Sequence, residues 1–245
     1  MLLSTTYTLN NSYTKRVQVG LQANDAGRYE ATIKLIGNLT DYIYLELEAW
    51  QKFQEEFDFV HAYLRGVDKI TPQPLILKNA SIYFTTTYGS RAIMVTRNRE
   101  AGEEKATTAD SATATEPPKK KRKTYSPSIA MQKITFEGLQ SIASCIDARR
   151  KQLYSLTNLV NNCVEFLIAE IELHLPNRYL DEDMVKNTLW NNFEEIEKNV
   201  QRQLLNFDFL DVYFDILFLE LTSFHLHQIV RRIIKNQAMQ LASNS

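Results

Sequence analysis

At 245 residues, with 44% apolar and 23% charged side chains, the chain has globular composition and room for one large domain or two small ones. Seven Gly and six Pro exclude a fibrous or loop-dominated protein, and the two cysteines, Cys145 and Cys163, exclude a disulfide framework and imply a reducing compartment. The net charge of −1 hides a gradient. Residues 1–160 carry 21 Lys and Arg against 16 Asp and Glu, and residues 161–245 carry 7 against 13. A polyanion is therefore expected at the front of the chain, and the acidic back is expected to stay out of that contact.

The first pattern is short and alternating. Val17, Val19 and Leu21 alternate with Arg16, Gln18 and Gly20; Tyr29, Ala31, Ile33 and Leu35 alternate with Arg28, Glu30, Thr32 and Lys34; Ile43, Leu45 and Leu47 alternate with Tyr42, Tyr44 and Glu46. Three period-two runs separated by Asn24-Asp25-Ala26-Gly27 and Gly37-Asn38 predict an antiparallel meander with one buried face. From Glu48 the period changes. Trp50, Phe53, Phe57, Val60 and Leu64 recur every three or four residues, which predicts an amphipathic helix ending near Arg65-Gly66.

The same order then recurs: strands at 81–87 and 91–97 around the turn Gly89-Ser90, a strand at 129–136, and a helix carrying Leu139, Ile142, Ala143, Ile146 and Leu153. At each strand-to-helix junction stand Glu, a small residue, a large apolar residue and Gln, as Glu48-Ala49-Trp50-Gln51 and as Glu137-Gly138-Leu139-Gln140. This predicts a divergent tandem repeat of meander plus helix. Residues 99–128 interrupt the second unit with Glu, Ala, Thr, Ser and Pro and almost no large apolar residue, which predicts a disordered insertion. From 157 onward the chain reads as helical: 158–175, stopped by Pro176; 180–206, opened by Asp181-Glu182-Asp183; and 207–241, apolar at its front and basic towards its end. Asp208, Asp211, Asp215 and Glu220 interrupt the apolar front, so no membrane span is expected there, and the N-terminus lacks the basic-then-apolar layout of a secretory leader. The expected organisation is thus α+β: a first unit at 13–70, a second at 75–156 with its insertion at 99–128, and an all-helical tail at 157–245.

Two constellations carry functional meaning. Pro117-Pro118 precede Lys119, Lys120, Lys121, Arg122 and Lys123, five consecutive cations on a chain expected to be extended. Import receptors take such chains into acidic, aromatic-lined pockets, so Pro118 to Lys123 read as a nuclear import signal and the nucleus as the destination. The second constellation is the polar face of the strands. Arg16, Arg28, Lys34, Tyr42 and Tyr44 on the first meander, with Tyr83, Arg91, Arg97 and Lys133 on the second, mix cations with aromatic rings. Lys and Arg meet phosphates while flat rings meet unpaired bases, as a platform for single-stranded nucleic acid requires. An ordinary solvated sheet face has similar composition. Enzyme chemistry finds no local support. No two of His61, His174, His225 and His227 have the i, i+4 spacing of a helical zinc pair, and there is no nucleotide-binding glycine loop, no serine elbow and no Cys-x-x-Cys. No cofactor or metal is expected.

The tandem meander-plus-helix order resembles the fold shared by the transcriptional coactivator p15 and the plant Whirly proteins. Leu45-Glu46-Leu47-Glu48-Ala49-Trp50-Gln51-Lys52-Phe53 is similar to the junction at which that family's strands pass into a Trp-bearing helix; Ile134 to Ile142 resembles it less closely. The resemblance covers about residues 13–156. It implies binding of single-stranded or melted DNA along the strands, at Arg16, Arg28, Lys34, Arg91, Arg97 and Lys133, in transcription or DNA replication. A compact nuclear protein of this divergent kind fits a DNA virus of a eukaryotic host. Few Lys in the strands and the large insertion depart from the family pattern, and the helical tail has no counterpart in it. The competing expectation is a non-enzymatic scaffold that self-associates through the apolar helix at 207–226, giving a homo-oligomer.

Overall fold

The computed structural model describes residues 1–38, 41–66, 70–98, 127–176, 180–204 and 210–243. Among them the order is β1 (Leu2–Thr8), β2 (Arg16–Ala23), β3 (Tyr29–Ile36), β4 (Tyr42–Leu45), α1 (Leu47–Glu55), α2 (Phe57–Leu64), β5 (Leu75–Ile76), β6 (Ala80–Thr87), β7 (Ser90–Arg97) and β8 (Ser128–Gln132), then α3 (Lys133–Leu173), α4 (Glu182–Asn191), α5 (Phe193–Leu204), α6 (Leu210–Phe224) and α7 (Leu226–Ser243). The protein is α+β, with two antiparallel four-stranded sheets, β1-β2-β3-β4 and β5-β6-β7-β8, and a long helical C-terminal region. Most of the expected insertion (residues 99–126), with all of the basic run, lies outside the described residues. The chain divides into two compact units made of separated segments. One joins Met1–Thr5, Val19–Ala31 and Asp147–Ser245; the other joins Thr6–Gln18 and Thr32–Ile146.

The second of these units is rich in sheet. In β3 and β4 the period-two pattern buries Ile33, Leu35, Ile43 and Leu45, while Ile82, Ile93, Val95, Ile129 and Met131 are buried on the second sheet. Trp50, Phe53 and Phe57 of α1 and α2 meet Phe136 of α3 in an aromatic cluster, mostly edge-to-face, with ring centres 5.2–6.3 Å apart. Burying each ring contributes about 1.5–3 kcal/mol from removed apolar surface, so this cluster is a principal stabiliser of the unit. Glu56 interrupts the expected single helix between α1 and α2.

The other unit is mainly helical. Its centre is Tyr29, whose backbone N–H donates to Asn161 Oδ1 (2.8 Å) and whose carbonyl accepts from Asn161 Nδ2 (3.1 Å), so a helix side chain stands in for a neighbouring strand. The Tyr29 hydroxyl reaches His225 Nδ1 and Gln228 Oε1, both at 3.2 Å. Burial raises the Tyr29 phenol and lowers the His225 imidazole, which favours the neutral form of each. Glu170 is also buried, and accepts from Asn199 Nδ2 (3.0 Å) and Gln203 Nε2 (2.6 Å) of α5. Asp181 caps α4 by accepting from Met184 N at 2.8 Å, as the acid run predicted.

Several expected boundaries are corrected. β1 occupies residues for which the sequence pattern predicts no element: Leu2 and Leu3 are consecutive yet both buried, and Leu3 has φ of 48°, so alternation fails at the strand's start. The strand expected at 129–136 ends at Gln132, because continued alternation would put Lys133 in line with Ile129 and Met131 on the core face. Lys133 instead opens α3, which turns Phe136 and Leu139 inward at helical spacing. The helices expected to part near 157 are one, since Leu153, Leu156, Val160, Cys163, Leu167 and Ile171 keep the apolar period and no Gly or Pro falls between 139 and 175. The two long helices expected after it are each split. Asn192, its Nδ2 bonded back to Thr188 O (2.9 Å), parts α4 from α5. His225 parts α6 from α7.

Candidate nucleic-acid interface

On the first sheet the predicted platform assembles in part. The register pairs Lys34 with Tyr44 and Ile36 with Tyr42. Directly opposed residues share a face, so these four stand together, away from buried Ile33, Leu35, Ile43 and Leu45. The Lys34 ammonium lies 4.2 Å from the centre of the Tyr42 ring and 5.6 Å from that of Tyr44, and the two rings meet edge-on at 5.3 Å. Lys34 forms no ion pair among the described residues. Burial lowers its pKa, and burial, followed by the neighbouring Tyr42, raises that of Tyr44. Two electron-rich rings thus hold a cation that has no anionic partner among the described residues, while Tyr42 remains 45% exposed. Such a group can receive one phosphate and one base. Arg16 of β2 is exposed and lies on the polar side of its strand, opposite in parity to fully buried Val17 and Val19.

The remaining residues do not join this group. Arg28 is not in a strand: it lies at the β2–β3 turn, where its N–H donates to Asn24 Oδ1 (3.0 Å) and its carbonyl accepts from Asn24 N (2.8 Å). In the second sheet, Tyr83 pairs with Met94, Arg91 with Thr86 and Arg97 with Ala80. Tyr83 therefore faces away from both arginines, beside Thr85, Met94 and Thr96, and none of these carries a charge. The Arg91 guanidinium donates to Tyr63 O (2.9 Å) and lies 5.0 Å from the Tyr63 ring, so it closes the end of α2. Lys133 is the first residue of α3, with Nζ 3.8 Å from Glu137, which also meets His61 Nε2 at 3.1 Å.

Sequence reading missed the residue that steadies the platform. Asn79 donates to Tyr44 O (3.0 Å) and accepts from Glu46 N (3.5 Å), fixing the end of β4. Beside it Lys78 pairs with Glu46 and Glu48, each at 3.2 Å. Separation by thirty residues or more leaves no local signal for these contacts. Among the described residues no cluster of His, Cys, Asp and Glu could hold a metal ion, and no helix is long and apolar enough to cross a membrane. Compared with family models and with curated proteins, the chain matches none.

Proposed function

We propose that this protein binds single-stranded or melted DNA through the polar face of its first sheet, acting by binding rather than catalysis in nuclear transcription or replication. The observation that carries the reading is the Lys34 ammonium held over the Tyr42 and Tyr44 rings with no carboxylate paired to it among the described residues. Two four-stranded sheets, each followed by a helix, add support through the resemblance to the p15 and Whirly fold and to a tandem repeat. Titration of a labelled oligothymidylate followed by fluorescence anisotropy tests it. Tyr42→Ala should cost about 1–3 kcal/mol through lost stacking. Lys34→Ala should reduce the slope of log affinity against log salt by about 0.7, the share of one phosphate on a single strand. Absence of salt-sensitive binding at micromolar protein would end this reading.

Nuclear entry is assigned to Lys119 to Lys123 and an import receptor. Lys120→Ala with Lys121→Ala should abolish nuclear accumulation of a fluorescent fusion, and an unchanged nuclear signal would reject the assignment.

A second reading, self-association, is favoured by α6. Its inner face buries Phe214, Leu217, Phe218 and Leu221, yet Ile216 and Leu219 on the other side are 53% and 59% exposed, and Phe224 is 73% exposed. Light scattering should show an oligomer that Ile216→Glu with Leu219→Glu converts to a monomer. A monomeric wild-type chain would dismiss this reading.

A further inference from the structure

The net negative charge of residues 161–245 predicts that the tail stays away from anions, but α7 holds Arg231, Arg232 and Lys235 and no carboxylate. These three side chains line a cleft of about 280 Å³ within the helix-rich unit, between α7 and the β2–β3 turn. Ala23, Ala26, Val164 and Ile229 give the cleft apolar walls. The volume lies close to the lower end of ligand-sized clefts, about 300 Å³.

The cations are not equivalent. Arg232 Nη2 lies 2.6 Å from Glu165 Oε1, so its position is fixed and its charge compensated. Arg231 and Lys235 are one helical turn apart on a single face of α7, both exposed, and neither has an ion-pair partner among the described residues. Arg28, also exposed, stands in the turn between the lining residues Gly27 and Tyr29. Asp25 is the one carboxylate among the lining residues, so positive charge exceeds negative. Gln228 lines the same cleft. Its Oε1 accepts from Tyr29, while its side-chain NH2 meets no acceptor among the described residues. Two cations with no ion-pair partner among the described residues and an amide donor beside apolar walls match a doubly charged phosphate carried on a compact organic group.

From this we infer that the cleft between α7 and the β2–β3 turn binds a phosphate group, with Arg231 and Lys235 as its charged contacts. The phosphate belongs to a small phosphorylated molecule of mononucleotide size or to a nucleic-acid backbone, and the test separates the two. This site is independent of the first-sheet platform. Calorimetric titrations of the full chain with inorganic phosphate, thymidine monophosphate and oligothymidylate should be compared with those of the Arg231→Gln, Lys235→Gln double variant. Both substituted residues are exposed, so the variant should keep its melting temperature. At least one probe should bind the wild-type chain and lose tenfold or more in affinity in that variant. Binding of the mononucleotide identifies a small phosphorylated ligand; loss confined to the oligonucleotide identifies the backbone. Failure of all three probes to bind at millimolar concentration overturns the inference, as does equal affinity in the double variant.

Discussion

Asn161→Leu should destabilise the protein by about 3 kcal/mol, the scale for stranding a buried polar group. For a chain of this size that lowers Tm by roughly 6–12 °C. The substitution conserves side-chain size, so the loss comes from bonding and not from a cavity. Asn161 Oδ1 is the acceptor for the buried Tyr29 N–H, and Asn161 Nδ2 donates both to Tyr29 O and, at 2.9 Å, to Thr157 O. Leucine leaves that N–H with no acceptor in a place where Tyr29 itself is 2% exposed. Asn158→Leu provides the control, since Asn158 sits on the same helix but is exposed, and its change should fall within about 0.5 kcal/mol of zero. Urea unfolding of the two variants checks the contrast, and equal midpoints would show that the Asn161 amide does not hold the strand.

The same comparison shows what the sequence could reveal. Strands β2, β3 and β4 of the first sheet were legible because Val17, Val19 and Leu21, then Ile33 and Leu35, then Ile43 and Leu45 keep strict alternation, and each is 0–1% exposed. The grouping of Lys34, Tyr42 and Tyr44 followed from that alternation, because a side-chain period of two puts all three on the polar face. β1 was hidden by the positive φ of Leu3, which breaks the period within two residues of its start. Asn161 and Tyr29 are 132 positions apart, and nothing local marks an Asn that will imitate a strand.

The second sheet failed for a different reason. Thr87 pairs with Ser90 across a two-residue turn in which Tyr88 and Gly89 have φ of 50° and 75°. Any two-residue turn pairs odd positions of one strand with even positions of the next. Tyr83 could therefore never share a face with Arg91 or Arg97, and that parity was readable from the sequence. Grouping residues by polarity alone discards it. Charge averaged over the 85 residues of the tail likewise says nothing of α7, a helix with three cations and no carboxylate.

The junction residues lead to the last expected result. Gly138→Ala should cost about 3 kcal/mol or more, although alanine in place of glycine normally favours a helix by about 1 kcal/mol. The reversal of sign is the diagnostic. A Cβ at Gly138 would collide with Leu9 O and stand 3.1 Å from Leu9 C and 3.3 Å from its Cα, so it meets backbone rather than a side chain that could swing aside. Leu9 has little freedom to retreat: it is 5% exposed, and its N–H is held by Lys15 O at 2.9 Å. Ala49, at the matching point of the first junction, is fully buried. A small residue between Glu and a large apolar residue marks both strand-to-helix junctions in the sequence. Its physical content is room for another segment to pass, and at Gly138 that segment is the chain just after β1. Urea unfolding of Gly138→Ala gives the answer directly, and a variant as stable as the parent would mean that α3 and Leu9 do not approach this closely.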